Sequence, residues 1–135
     1  MSDFNTQVIQ EFRANDGQIG GYFEGKDLIL ITVTGAKSGQ PREVPLVFAP
    51  DGDKLLIIAS YGGSDVNPAW YHNLVANPRF TAEVGGETFA ADARVLEGDE
   101  RQRGFEILAE TNPGFRDYQQ KTSRVIPVIE LTRVA

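Results

Sequence analysis

The chain has 135 residues, of which 41% are apolar and 24% charged, so it is long enough and apolar enough to bury one core. This length excludes an eightfold β/α barrel or a two-domain enzyme. The absence of cysteine excludes disulfides and thiolate metal sites, and a single histidine, His72, argues against a zinc or Ser-His-Asp enzyme. No metal site is predicted. The net charge of −6 opposes non-specific binding of nucleic acid and anionic lipid, so an anionic ligand requires a local excess of positive charge.

The N-terminal residues carry apolar side chains at helical spacing. Residues 3–14 are therefore predicted to form an amphipathic helix, and the chain divides into residues 1–15, this helix, and residues 16–135, the main domain. Neither the basic and apolar regions of a secretory signal nor an apolar run of membrane-spanning length is present. We expect a soluble, cytoplasmic protein.

The next segments have the pattern of strands. Leu28 to Thr34 is apolar on both faces, which is typical of a strand buried on two sides. Residues 42–49 and 54–60 flank Pro50-Asp51-Gly52-Asp53 and are predicted to form a hairpin. Pro45, inside the first of these strands, predicts an edge position or a bulge.

Short helices and further strands are predicted in the second half of the chain. They are a helix over 67–76, a hairpin of 80–84 and 87–96, a helix over 99–110, a loop over 112–122 and a strand over 125–134. The crossover helices of a parallel sheet are missing. The predicted fold is mainly β within the α+β class, a six-stranded antiparallel barrel with short peripheral helices.

One turn concentrates positive charge. Residues 34–42 contain Lys37 and Arg42 but no carboxylate, and two glycines leave backbone N–H groups accessible. With the Ser38 hydroxyl these groups suit a phosphate or carboxylate. The segment is not a Walker loop, because its spacing differs and Pro41 and Pro45 forbid the helix that such a loop requires. The turn is either an anion site or an ordinary solvated connection.

Two other segments carry candidate ligand contacts. Ser60, Tyr61, Gly62 and Gly63 follow a strand directly, so this backbone either approaches a flat ligand or only reverses direction. Trp70 opens the following helix as a core residue or a ligand contact. In the polar and aromatic loop over 112–122, Tyr118 is either a hydroxyl donor or a packed ring.

Three segments, in this order and spacing, together resemble the deazaflavin-dependent nitroreductase family. They are TGAKSGQPREVPL at residues 34–46, ASYGG at residues 59–63 and NPAWYHNLVANP at residues 67–78. The resemblance runs from about Leu28 to the C-terminus and includes Asp117-Tyr118-Gln119 and Ile126-Pro127-Val128.

The resemblance implies a split β-barrel that binds 8-hydroxy-5-deazaflavin coenzyme F-420, whose tail carries a phosphate and γ-linked glutamates. It implies that Lys37, Ser38 and Arg42 hold this tail. The residues expected along the ring and linker are Pro45, Leu46, Ala59, Ser60, Tyr61, Gly62, Gly63 and Trp70. Ala36 and Tyr61 stand where relatives often have basic residues, which predicts a weaker grip on the phosphate. Phe115 stands where some relatives have a pocket tyrosine, whereas Tyr118 keeps the matching hydroxyl.

The resulting hypothesis is a reductase that transfers hydride from reduced coenzyme F-420 to a flat, electron-poor acceptor. The acceptors considered are an activated alkene in an enone or lactone, a quinone and a nitroaromatic compound. Ser60 and Tyr118 are predicted to polarise the acceptor oxygen. The alternatives are an FMN-dependent oxidoreductase and a non-catalytic carrier of the deazaflavin or a hydrophobic ligand.

No nucleic-acid partner is expected, and the protein is predicted to be a monomer or a weak homodimer. The N-terminal helix is expected to cover the pocket, to pair two subunits or to touch a membrane surface. The net charge of −6 makes membrane association the least favoured of these roles.

Overall fold

A computed structural model of the chain describes residues 3–14 and 28–134. The helices of the described part are α1 (Asp3–Ala14), α2 (Ala69–Ala76), α3 (Gly98–Thr111) and α4 (Gly114–Gln120), and a single 3₁₀ turn spans Tyr61–Gly63. The strands are β1 (Leu28–Thr34), β2 (Pro41–Val47), β3 (Ala49–Asp51), β4 (Lys54–Ile58), β5 (Arg79–Val84), β6 (Glu87–Val95) and β7 (Val128–Arg133). Among these residues, no helix is both long and apolar enough to cross a membrane.

The described strands form one antiparallel sheet in the order β2-β1-β5-β6-β7-β4-β3. Strands β2 and β3 lie at opposite edges, although Phe48 alone separates them along the chain. A flat sheet would hold these edges far apart, so the sheet curls into a half-barrel. The edge position of β2 confirms the prediction drawn from Pro45, since an edge strand tolerates a missing N–H donor.

Strand β1 is buried on both faces, as predicted. Ile29, Ile31 and Val33 point into the main core of the half-barrel, and Leu28 and Leu30 pack under α1. The α1 side of this second cluster consists of Val8, Ile9 and Phe12. Helix α1 coincides with the predicted range of residues 3–14 and covers the outer face of β1 and β2. The predicted boundary between residues 15 and 16 lies outside the described residues.

Helices α3 and α4 cover another part of the outer surface. Leu56 and Ile58 of β4 pack there against Phe105, Leu108 and Phe115. Gly104 allows the close approach of α3, because an added Cβ would lie 3.0 Å from a Val128 methyl group. The half-barrel therefore carries α1, α3 and α4 on its outside, whereas α2 contributes Trp70 and Leu74 to the apolar core within.

Three predictions about the elements were wrong. The sheet has seven strands rather than six, because the chain changes sheet edge at Phe48 and splits the predicted strand of residues 42–49 into β2 and β3. As a result, the hairpin partner of β4 is β3 alone, and β2 pairs with β1. Residues 112–122 are not an open loop, since they contain α4, which buries Phe115. The last strand also begins later than predicted, at Val128.

Candidate functional site

The basic turn, residues 36–42, is a compact connection between β1 and β2 that includes the first two residues of β2. The Gly35 N–H donates to the Gln40 carbonyl at 2.8 Å, and the Gly39 N–H donates to the Gly35 carbonyl at 2.9 Å. The Ser38 hydroxyl accepts from the Gln40 N–H at 3.2 Å. Gly39 has a φ of 70°, which a glycine adopts without steric cost. Every residue of the basic turn is exposed.

Helix α2 fixes the position of the basic turn. The Asn73 side-chain oxygen accepts a hydrogen bond from the Ala36 N–H at 2.9 Å. Trp70 and Leu74 anchor the same helix in the main core. The turn is therefore held against a rigid helix, although its own side chains face solvent.

The two cations of the basic turn are not neutralised by the described residues. Lys37 has no ion pair with them, and the hydrogen bond that Arg42 makes to them is a long one, 3.5 Å, to the Ser38 hydroxyl. Six other described arginines pair with carboxylates: Arg13, Arg79, Arg94, Arg103, Arg116 and Arg133. Arg101 and Arg124 donate to backbone carbonyls. Lys37 and Arg42 thus combine positive charge, exposure and a fixed backbone.

The carboxylate next to Arg42 in the sequence points away from it. Glu43 lies on the outer face of β2, where it binds Arg13 of α1. Arg13 also contacts Glu83 at 2.9 Å, and hydrogen bonds to both carboxylates raise its pKa. Arg42 lies on the opposite face, because side chains alternate along a strand. The N-terminal helix thus neutralises the acidic group closest in sequence to the candidate anion site.

The same alternation separates two predicted cofactor contacts. Leu46 is opposite Ile29 on the inner face that carries Arg42, whereas Pro45 is opposite Leu30 on the α1 face. Arg42 and Leu46 are four residues apart, a separation of roughly 13 Å along a strand. An extended ligand could therefore lie along the inner side of β2, and Pro45 would then offer it backbone atoms only.

The 59–67 segment is organised by Arg124, a residue that the sequence analysis missed. The Arg124 guanidinium donates to the carbonyls of Ala59, Ser60 and Ser64 at 3.2, 2.9 and 2.7 Å, and to the Asn67 side-chain oxygen at 2.8 Å. Burial lowers the pKa of Arg124. No local pattern predicts these bonds, because they join residues more than 55 positions apart. The available sequence signal was the position of Arg124 between the polar residues 119–123 and the apolar residues 125–129.

Helix α4 packs directly on the 59–67 segment. An added Cβ at Gly63 would lie 2.9 Å from the Tyr118 carbonyl oxygen, and Gly63 has a φ of 81°. The Tyr118 ring is partly buried, with the Lys121 ammonium 5.5 Å from its centre. Neither the Tyr118 hydroxyl nor the Ser60 hydroxyl bonds to a described residue. Both hydroxyls can therefore donate to a ligand.

Two predicted ligand contacts lie in the core. Ala59 is fully buried, its N–H donating to the Pro127 carbonyl at 3.0 Å, and Trp70 is 9% exposed. The structure therefore places both side chains among the residues of the main core rather than on the surface. Tyr61 is 58% exposed and has a φ of 46°, unusual for a residue with a side chain. Gly62 lies within the same 3₁₀ turn.

A depression of about 190 Å³ lies elsewhere on the sheet. Leu55, Val84, Phe89 and Leu131 form its apolar lining. None of the predicted site residues contributes to it. We therefore place the candidate site on the basic turn, which bonds to Asn73 of α2, and on the 59–67 segment, which precedes α2 in the chain.

These residues fit a ligand with an anionic tail and a flat head. The exposed cations and the Ser38 hydroxyl supply the donors that phosphate and carboxylate groups require. The 59–67 segment supplies a fixed backbone, a free hydroxyl and an exposed aromatic side chain. The chain is therefore a small antiparallel half-barrel with an exposed basic turn, and coenzyme F-420, the cofactor implied by the sequence resemblance, has both an anionic tail and a flat head.

Comparison with known proteins identifies the family. Residues 5–133 match the model of the F420H(2)-dependent quinone reductase family. An F420H(2)-dependent quinone reductase of Mycobacterium tuberculosis is 41% identical over 126 residues, which cover 90% of this chain and 85% of the relative. The solved structure of an F420-H2 dependent reductase, FDR-A, has a TM-score of 0.72 and 40% identity, covering 77% of this chain and 92% of its own. A second structure, described as a domain-swapped dimer, has a TM-score of 0.74 and 37% identity, with 93% and 92% coverage.

The chain belongs to the F420H(2)-dependent quinone reductase family and is an oxidoreductase whose cofactor is coenzyme F-420. The resemblance noted in the sequence is thus confirmed. The family and the mycobacterial relative are named for quinone reduction, and their names give no support to FMN as the cofactor.

Proposed function

We propose that the protein uses reduced coenzyme F-420 to reduce a quinone, with the cofactor tail on the basic turn and its ring beside the 59–67 segment. The observation that carries this assignment is the pair of exposed cations, Lys37 and Arg42, on a turn fixed by Asn73 and free of carboxylate partners among the described residues. In a chain with a net charge of −6, such a pair favours an anion at this point.

The tail would be held by charge and by hydrogen bonds. Lys37 acts as a point charge, Arg42 as a planar fork and Ser38 as a hydroxyl donor. Ala36 and Tyr61 add no charge, and the N–H groups of both glycines in the turn, Gly35 and Gly39, donate within the turn. Binding therefore depends mainly on the side chains of Lys37, Ser38 and Arg42. This dependence makes the expected affinity sensitive to salt.

The ring would lie where β2 and the 59–67 segment offer apolar side chains and backbone. Leu46 and Tyr61 are the contacts we propose, with Pro45, Gly62 and Gly63 contributing backbone and Ala59 and Trp70 supporting them from the core. The bound cofactor supplies hydride. Ser60 and Tyr118 are proposed to donate hydrogen bonds to the acceptor oxygen, on which negative charge develops during reduction.

A quinone is the acceptor that we favour, because it is flat, apolar and reduced at carbonyl oxygens that hydroxyl donors can polarise. Exposed apolar side chains near the 59–67 segment support this choice. Tyr61, Val66 and Val125 are 58%, 62% and 69% exposed, respectively. Enones, lactones and nitroaromatic compounds share the flat, electron-poor character and remain candidate substrates.

The split barrel is the architecture we propose for this sheet, supported by the one-residue passage between its edges at Phe48. A homodimer is proposed on the basis of the structure described as a domain-swapped dimer, which is 37% identical to this chain. A cytoplasmic location stays a prediction.

The proposal is tested by titrating the purified protein with coenzyme F-420 and following deazaflavin fluorescence. Saturable binding at micromolar concentrations is expected. Addition of a soluble quinone such as menadione to the reduced complex should then restore the absorbance of the oxidised deazaflavin at a rate proportional to protein concentration. Failure to bind the cofactor would overturn the proposal, and binding without protein-dependent oxidation would favour the carrier alternative.

A further inference from the structure

We propose that Arg124 is a positioning residue that shapes the 59–67 segment as a set of hydrogen-bond donors for the deazaflavin ring, an inference that rests on the proposed function. Arg124 is not itself suited to bind the anionic tail. All but one of its N–H groups already donate to Ala59, Ser60, Ser64 and Asn67. Its role is to hold backbone in place.

The direction of these bonds decides what the segment presents to a ligand. A trans peptide points its N–H group away from its carbonyl oxygen. Because the carbonyl oxygens of Ala59 and Ser60 accept hydrogen bonds from Arg124, the N–H groups of Ser60 and Tyr61 point away from the guanidinium. Neither N–H donates to a described residue. These two N–H groups form a preorganised donor set for carbonyl oxygens of a flat ring.

The backbone at this point is strained, and Arg124 holds it on both sides. Tyr61 has a φ of 46°, a conformation that is uncommon for residues other than glycine. The carbonyl before it, at Ser60, and the carbonyl of Ser64 beyond it both accept from Arg124. Removing the guanidinium therefore releases the strained turn and turns its peptide groups away from their present orientation.

Arg124 is in turn fixed by α3 and α4. The Gln119 side chain donates to the Arg124 carbonyl at 2.7 Å and accepts from the Ile126 N–H at 3.0 Å. Arg101 donates to the Ile126 carbonyl and to Gln119, both at 2.8 Å. This network ties the guanidinium to the rigid helical layer, so the donor set has a defined position relative to the half-barrel.

The test compares two cofactor forms across matched variants. The variants are Arg124→Ala, Arg124→Lys and, as control, Arg103→Ala, which removes an arginine of a surface ion pair with Asp51. The ligands are coenzyme F-420 and the tail-less 8-hydroxy-5-deazariboflavin. Binding is followed by fluorescence, kcat and KM are measured with menadione, and unfolding temperature is measured for every variant.

We expect Arg124→Ala to weaken binding of both ligands about tenfold and to lower kcat about a hundredfold, since a displacement of about 1 Å can have that effect. Arg124→Lys should retain only part of the binding and of kcat, because an ammonium group cannot reproduce the planar set of donors that a guanidinium presents. Millimolar guanidinium should partly restore the activity of Arg124→Ala. By contrast, Lys37→Ala should weaken binding of the full cofactor but leave binding of the tail-less ring unchanged.

The outcomes separate the two proposals. If the unaltered protein binds neither ligand, the proposed function fails. If it binds both and Arg124→Ala retains wild-type ring affinity and kcat, the positioning role of Arg124 is refuted. If Arg124→Ala only lowers the unfolding temperature and leaves ring affinity and kcat of the folded fraction unchanged, the role of Arg124 is purely structural and the proposal is also refuted.

Discussion

The side-chain oxygen of Asn73 accepts a 2.9 Å hydrogen bond from the Ala36 N–H and thereby joins α2 to the basic turn. We predict that Asn73→Ala weakens coenzyme F-420 binding by up to about tenfold and lowers the free energy of unfolding by about 1 kcal/mol. Asn73→Asp keeps the acceptor but adds negative charge beside the cations, so it should weaken binding in a way that high salt partly reverses. Asn77→Ala, at the end of the same helix, is the control. Equal affinities for the Asn73 and Asn77 variants would contradict this prediction.

The second prediction concerns the cations themselves. Lys37→Ala and Arg42→Ala should each weaken cofactor binding about tenfold, because each removes a charge-assisted hydrogen bond at an exposed site. The dependence of affinity on salt should become less steep in both variants. Lys54→Ala removes one charge from the β3–β4 hairpin and should leave affinity unchanged. Cofactor affinity is measured by fluorescence titration at two salt concentrations. Wild-type affinity in both Lys37→Ala and Arg42→Ala would refute the proposed tail site.

The third prediction separates chemistry from binding. Ser60→Ala and Tyr118→Phe each remove a hydroxyl that has no described partner, so neither should lower protein stability appreciably. Each should lower kcat for quinone reduction at least about tenfold and leave cofactor affinity within about twofold. Tyr71→Phe is the matched tyrosine control. A wild-type kcat in either variant would remove that residue from the mechanism.

Gly63 supplies a stability prediction. Gly63→Ala introduces a Cβ at a φ of 81° and 2.9 Å from the Tyr118 carbonyl oxygen, so it combines backbone strain with a clash against α4. Gly98→Ala introduces only the strain, at a φ of 56° with nothing within 4 Å. We expect a loss of about 1 kcal/mol for Gly98→Ala and a loss about 1–3 kcal/mol larger for Gly63→Ala. Equal unfolding free energies for the two variants would show that α4 does not hold this contact.

The surface ion pairs predict how stability depends on pH. Arginine partners lower the pKa of Asp51, Glu87, Asp92 and Glu100 below their ordinary values of 3.8 for aspartate and 4.5 for glutamate. As the pH falls, these carboxylates therefore take up protons at a higher pH in the unfolded chain than in the folded protein. The stabilisation is complete above about pH 5 and disappears as the pH falls through the lowered pKa values.

The unfolding temperature, measured between pH 7 and pH 3, should accordingly decline below about pH 4.5. Asp51→Asn should show a smaller decline, because one of the pairs is already absent. Since these ion pairs lie at the protein surface, each contribution is small. An unfolding temperature that rises toward pH 3 would contradict the sign of this prediction.

Much of the fold follows from local pattern. Three features of the fold were predictable because burial and backbone preference act on neighbouring residues. They are the burial of β1 on both faces, the hairpin turn at Gly85-Gly86, and the apolar face of α1 formed by Val8, Ile9 and Phe12. The seventh strand and α4 could not be predicted in the same way. They depend on where the chain at Phe48 changes sheet edge and on the contact between Phe115 and the α3 layer.

The same division applies to the candidate site. The sequence by itself determined the charge of the basic turn, since charge depends on residue identity, and its resemblance to a known family implied the cofactor. Only the tertiary structure decided that Glu43 turns away to Arg13, that Pro45 faces α1 whereas Leu46 faces the main core, and that Arg124 holds the 59–67 segment. These relationships join positions far apart in the chain, and they arise from the curl of the sheet and the packing of helices on it.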